Sequence, residues 1–137
     1  MKKTILILLT IILVIIMAGC SKDDNDPSEA PAKEKILGKW KFISFVTETT
    51  TPSEPDEVTT EYGAEGDYFD FRSDGNIYYV LGGDNEQIAS YSIENETTLK
   101  IEIEVFKIKE LTQNKLVFES VRVNANETTK QTYNLSK

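Results

Sequence analysis

From Ile36 to the C-terminus, apolar and polar residues alternate with a period of two, as in strands with one buried and one wetted face. Ile36–Val46 reads as the first strand, with Trp40, Phe42, Ser44 and Val46 on one side. Phe69 and Phe71 alternate with Tyr68, Asp70 and Arg72. Ser73-Asp74-Gly75-Asn76 then supplies an Asp-Gly hairpin turn into a return strand over Ile77–Leu81. Gly82-Gly83-Asp84-Asn85 leads into Gln87–Ile93, where Ala89, Tyr91 and Ile93 are in phase, and Asn95-Glu96 leads into Thr98–Ile103, carrying Leu99, Ile101 and Ile103. Between Glu102 and Phe106 the apolar phase slips from odd to even positions without Gly or Pro, which predicts a tight non-glycine hairpin or a bulge. Phe106–Leu111, Lys115–Val123 and Glu127–Leu135 follow, joined by Thr112-Gln113-Asn114 and Asn124-Ala125-Asn126. The last of these places Thr129, Gln131, Tyr133 and Leu135 on one face.

Thr47–Gly66 breaks the pattern. It holds six acidic residues, no basic one, and both Pro52 and Pro55, so it is expected to be mostly loop with one short strand at Val58–Tyr62. Eight or nine short strands, short turns and no helix predict an all-β fold: a small antiparallel up-and-down β-barrel, in which closure removes the exposed edges.

Ahead of the strands the chain has a different character. Lys2 and Lys3 precede an apolar run from Ile5 to Met17, interrupted only by Thr10 and followed by Ala18-Gly19-Cys20. As a helix, Ile5–Gly19 would reach ~22 Å against a hydrocarbon core of ~30 Å, which fits a removable signal better than a retained membrane anchor. The small Ala18-Gly19 pair before the single cysteine resembles a lipobox, with Met17 where Leu is commonest. That resemblance implies cleavage after residue 19 and lipidation of Cys20, and so attachment to a membrane through an N-terminal lipid. Ser21–Lys35 has two prolines and neither aromatic nor β-branched residues, the composition of a solvated tether. Its Lys22-Asp23-Asp24-Asn25-Asp26 resembles the acidic export signal of Bacteroidota lipoproteins, implying the outer membrane and its outer face; retention on the periplasmic leaflet is the other outcome. The expected organisation is a signal peptide over 1–19, a disordered acidic tether over 20–35 and a barrel domain over 36–137.

Removing residues 1–19 leaves 118 residues and moves the formal net charge from −8 to −10. No basic cluster remains, which argues against a nucleic-acid partner. A lone cysteine allows no internal disulfide, so packing and backbone pairing must hold the domain. With no histidine and the one thiol acylated, an imidazole base, a cysteine nucleophile and a Cys/His metal set are all missing, and neither an enzyme nor a cofactor is expected. Asp70-Phe71-Arg72-Ser73-Asp74-Gly75 touches the calcium-loop pattern, but Arg72 stands at a ligand position and Leu81 at the closing Glu, so a turn is the reading. Nothing sets the oligomeric state, and a monomer is the default.

Gly38-Lys39-Trp40 is the G-x-W of the first strand of lipocalins and their calycin relatives. Together with Phe71-Arg72-Ser73-Asp74-Gly75, Tyr91-Ser92-Ile93 and Ile108-Lys109-Glu110-Leu111-Thr112, it makes Ile36–Lys137 similar to a bacterial lipocalin-like domain. Two family features are missing: a Thr-Asp-Tyr turn, and an Arg in the last strand to stack on Trp40, where only Lys130 and Lys137 are basic. The resemblance implies that Gly38 turns the chain in under the barrel and that Trp40 plugs its narrow end. An eight-stranded barrel either fills with side chains or holds one small ligand. The candidate interior and ligand-contact residues are Trp40, Phe42, Phe69, Phe71, Tyr79, Tyr91, Phe118 and Tyr133. Two functions are therefore expected. In one, a barrel binds a small apolar molecule under the Thr47–Gly66 loop as a lid, with a cavity of at least ~300 Å³. In the other, a filled barrel presents its outer face, including Tyr62, Tyr68 and Tyr78, to a protein or glycan.

Overall fold

The computed structural model describes residues 30–137. Cys20, the signal segment and the first part of the tether lie outside them. One helical turn, α1 (Ala32–Lys35), precedes nine strands: β1 (Gly38–Thr51), β2 (Glu54–Tyr62), β3 (Tyr68–Phe71), β4 (Asn76–Val80), β5 (Gln87–Glu94), β6 (Thr98–Ile101), β7 (Glu104–Leu111), β8 (Lys115–Asn124) and β9 (Glu127–Ser136). All pairings are antiparallel, in the order β2-β1-β3-β4-β5-β6-β7-β8-β9, and β1 also pairs with β9. Eight strands thus close into a barrel, and β2 hangs on the outer half of β1.

Three local readings are corrected. Thr47–Gly66 is not mostly loop: β1 runs on to Thr51 and β2 returns beside it in register from Thr51↔Glu54 to Ser44↔Tyr62. Pro52 falls in the turn between the two strands, and Pro55 is tolerated because β2 is an edge strand and the residue sits at the register shift between Thr49 and Thr51. Next, the period of two in β1 does not continue through Val46. The β1–β9 register shifts between Phe42 and Ser44, so Phe45, paired with Tyr133, is the residue that follows Phe42 onto the inner face. Its ring centroid lies 4.7 Å from that of Tyr133.

The third correction concerns the tether, whose end is folded. Ala32 and Ile36 are buried, and the Ala32 amide donates to a Glu96 carboxylate oxygen at 2.7 Å, which fastens α1 beneath the β5–β6 turn. The domain therefore begins a few residues before Ile36. The phase slip after Glu102 is a two-residue hairpin, with Ile101 opposite Glu104 and Glu102 at φ 53°. Asp70 pairs with Arg72, and Asp74 Oδ1 accepts the Asn76 amide at 2.9 Å, so Asp70–Gly75 is the end of β3 and the turn that leads into β4.

Trp40 is fully buried at the end of the barrel that α1 covers, and its indole N–H donates to the Ile36 carbonyl at 2.6 Å. Phe71, Ile93, Leu99, Ile108, Leu116 and Leu135 complete this floor. Each such side chain contributes roughly 1.5–3 kcal/mol by leaving water. With no internal disulfide, this packing and the strand pairing have to hold the domain. Gly38, at φ 104°, permits the sharp entry from α1 into β1.

Candidate functional site

The next layer up the inward faces is built differently. Phe69 and Tyr79 stack at 5.5 Å, Phe118 and Tyr133 stack at 4.9 Å, and Phe106 meets both of the latter edge-on at 5.3 and 5.8 Å. These five rings stand around a space rather than across it. A cavity of about 320 Å³ remains, lined by them and by Ile77, Leu81, Ala89, Ile101, Glu102 and Glu104. Its walls are mostly apolar and it opens toward the β4–β5, β6–β7 and β8–β9 turns, opposite α1. Ala89 matters here, since its small side chain leaves the volume that a larger residue on β5 would occupy.

Of the eight interior candidates, Phe69, Tyr79, Phe118 and Tyr133 line this cavity. Trp40 and Phe71 belong to the floor below it. Phe42 is buried beside Phe69, with centroids 5.9 Å apart, and does not reach the cavity wall. Tyr91 is drawn toward the β3–β4 turn, its ring edge-on to Phe71 at 5.1 Å and its hydroxyl donating to the Arg72 carbonyl at 2.9 Å. Filling and pocket formation are therefore both present, one above the other.

Sequence reasoning passed over Ile77, Leu81, Ala89, Ile101, Glu102, Glu104 and Phe106. Apart from Leu81, the aliphatic liners were legible as the inward phase of strands β4 to β6. Phe106 was hidden by the phase slip before it. The two carboxylates carried no signal, because an acidic residue at a strand end usually marks only solvent.

The polar rim is specific in its connections. Glu104 pairs with Arg122 across β7 and β8. Glu102 accepts the Ser90 amide at 2.8 Å. Ser120, one step beyond Phe118 on the inward face of β8, is buried and its hydroxyl has no hydrogen-bond partner among the described residues. Burial pushes the Tyr133 phenol above its ordinary value, with Arg122 opposing and Tyr79 and Glu61 assisting.

On the outside, the expected aromatic patch is broken up. Tyr62 is 79 % exposed, but the Lys39 ammonium lies 3.6 Å from the Tyr68 ring centre and the Arg72 guanidinium 3.7 Å from that of Tyr78. Exposed Val58 and Val121 lie in one cross-strand row, separated by the Glu48–Lys130 ion pair at 2.7 Å.

A closed antiparallel barrel with a plugged floor and an apolar upper cavity defines a protein of the calycin class. The model of the lipocalin-like domain matches residues 36–118, well over half of the chain, and the chain belongs to that family. Among solved structures it is similar to bovine odorant-binding protein in a deswapped triple mutant, at 22 % identity and a TM-score of 0.44, covering 75 % of this chain and 74 % of that one. The bovine lipocalin allergen Bos d 2 is similar at 13 % identity and a TM-score of 0.46, over 77 % and 74 % of the two chains. A complex of bovine odorant-binding protein with undecanal matches at 22 % identity and a TM-score of 0.43, over 80 % and 75 %. A comparison with curated proteins returns no match.

Proposed function

We propose that this chain is a lipid-anchored, non-enzymatic protein of the bacterial cell envelope whose barrel holds one small apolar molecule. The observation that carries this reading is the cavity of about 320 Å³ walled by Phe69, Tyr79, Phe106, Phe118 and Tyr133. Its size falls at the lower end of small-molecule sites, which run from about 300 to 1,000 Å³. The anchor rests on Lys2 and Lys3, the apolar run and Ala18-Gly19-Cys20; outer-membrane placement, with exposure at the cell surface, rests on the acidic Lys22–Asp26 segment. The chain enters the barrel at α1, the closed end.

The alternative, a filled barrel offering its outer face to a protein or glycan, is less well supported. The interior is not filled, and the Glu48–Lys130 pair interrupts the apolar row between Val58 and Val121. Titration with the uncharged fluorophore N-phenyl-1-naphthylamine tests the binding reading. Saturable enhancement that Ala89→Phe abolishes while circular dichroism stays unchanged is the expected result, and an enhancement indifferent to Ala89→Phe would reject it. The anchor is tested separately. Cys20→Ser should shift the protein from the membrane fraction and keep its full precursor mass, whereas unaltered fractionation and processing would remove lipidation.

A further inference from the structure

We infer that the cavity discriminates by the charge of its ligand's head, preferring an amphiphile with a protonated amine to one with a carboxylate; this rests on the cavity being the ligand site. The apolar walls accept the body of either molecule, so the choice falls to the rim. Glu102 and Glu104 line the cavity directly. Glu61 adds to the negative field from outside the barrel: it lies on exposed β2, paired with Phe45, whose ring lies on Tyr133. Against these carboxylates stands one cation. The inward positions above the aromatic layer include Thr47 and Thr49 on β1, Ser120 and Arg122 on β8, and Thr129 and Gln131 on β9, and among them Arg122 is the only basic side chain.

Arg122 is already engaged with Glu104. A carboxylate head would have to displace Glu104 from it and then lie beside Glu102, in the field of Glu61. An ammonium head meets attraction from all three acids and leaves the Arg122 pair intact. The rim is wetted, with Glu104 and Arg122 side chains 38 % and 58 % exposed, so each charge acts through solvent and the discrimination is a moderate factor.

The test uses the full chain bearing Cys20→Ser, loaded with N-phenyl-1-naphthylamine at pH 7 and low salt, with octan-1-amine, octan-1-ol and octanoate as competitors. Octan-1-amine should displace the probe at about tenfold lower concentration than octanoate, with the alcohol between them, and added salt should narrow the gap. Octanoate competing as well as the amine overturns the inference, while probe and alcohol binding would leave the cavity reading standing. If the probe does not bind at all, both fail. The two halves of the rim pair give the sharper measurement. Glu104→Gln frees Arg122 and should narrow or invert the amine preference, whereas Arg122→Gln should widen it. Both variants break the same ion pair, so a merely structural role would move the ratio the same way in each, and that result also overturns the charge argument.

Discussion

The Lys137 ammonium lies 4.2 Å from the centre of the Trp40 ring and donates to the Leu37 carbonyl at 2.8 Å. The chain's last residue thereby covers the plug of the barrel floor, in the place where the sequence offers no arginine. The Lys137 backbone is held as well, its amide donating to the Asn114 carbonyl at 3.1 Å. Burial pushes the ammonium's pKa below its ordinary value. Removing the charge while keeping the chain length, as in Lys137→Met, should lower stability by about 1 kcal/mol, and Lys137→Arg should retain most of it. Urea midpoints of the two variants check this; equal losses would mean that the cation over the indole contributes nothing.

Gly63 marks a close backbone approach at the corner between β2 and β3. A Cβ there would stand 2.2 Å from the Phe42 carbonyl oxygen, while the Gly63 amide donates to the Ile43 carbonyl at 2.9 Å. Neither backbone can yield without opening β1 next to its bulge. Gly63→Ala is expected to cost about 2 kcal/mol or more in chemical denaturation. A variant within a few tenths of wild type would show that this corner is free to shift.

Asp67 closes the same corner. It is buried, its Oδ2 accepts the Ala64 amide at 2.9 Å, and its own carbonyl accepts the Phe42 amide at 3.1 Å. The Ala64 amide, with help from the backbone of Gly82 and Gly83, holds its carboxyl below the ordinary 3.8. Because the folded-state pKa is the lower one, the stability that Asp67 contributes is present above about pH 4 and is lost as pH falls through the folded value. Urea midpoints measured from pH 7 down to pH 3 should decline less steeply in Asp67→Asn, which starts from a lower value at pH 7. Parallel curves for the two proteins would contradict this assignment.

Phe118 separates the floor from the cavity, stacked on Tyr133 and edge-on to Phe106. Phe118→Ala should cost about 3–4 kcal/mol through lost burial and a larger void. The same change should let the barrel accept bulkier ligands than wild type. Thermal denaturation reads the first effect, and competition by a graded series of alcohols reads the second; an unchanged size limit would place the ligand elsewhere.

Much of the barrel was legible because its strands obey a local rule. Where one face is buried and the other wet, a period of two is forced, and β3 through β9 show it in residues as close as Phe69 and Phe71 or Leu99 and Ile101. The β1–β2 hairpin escaped because its outer strand faces water on both sides, so Pro55 and the acidic Glu54, Asp56, Glu57 and Glu61 could accumulate on it without penalty. The bulge after Phe42 escaped for another reason. A register shift is set by how β1 meets β9, two strands that are distant along the chain.

What the sequence determined by itself was the class of fold and the set of residues able to face inward, since each follows from alternation and side-chain size along a single strand, while the plug at Trp40 was implied by the resemblance carried by Gly38-Lys39-Trp40. The tertiary structure alone decided which of those residues enclose a space. A cavity is the difference between the volume a closed barrel encloses and the summed volume of side chains from eight strands, and no single strand carries that difference. It also decided that Lys137 reaches Trp40 and that Glu104 meets Arg122, because those distances exist only once β9 and β8 have closed the barrel.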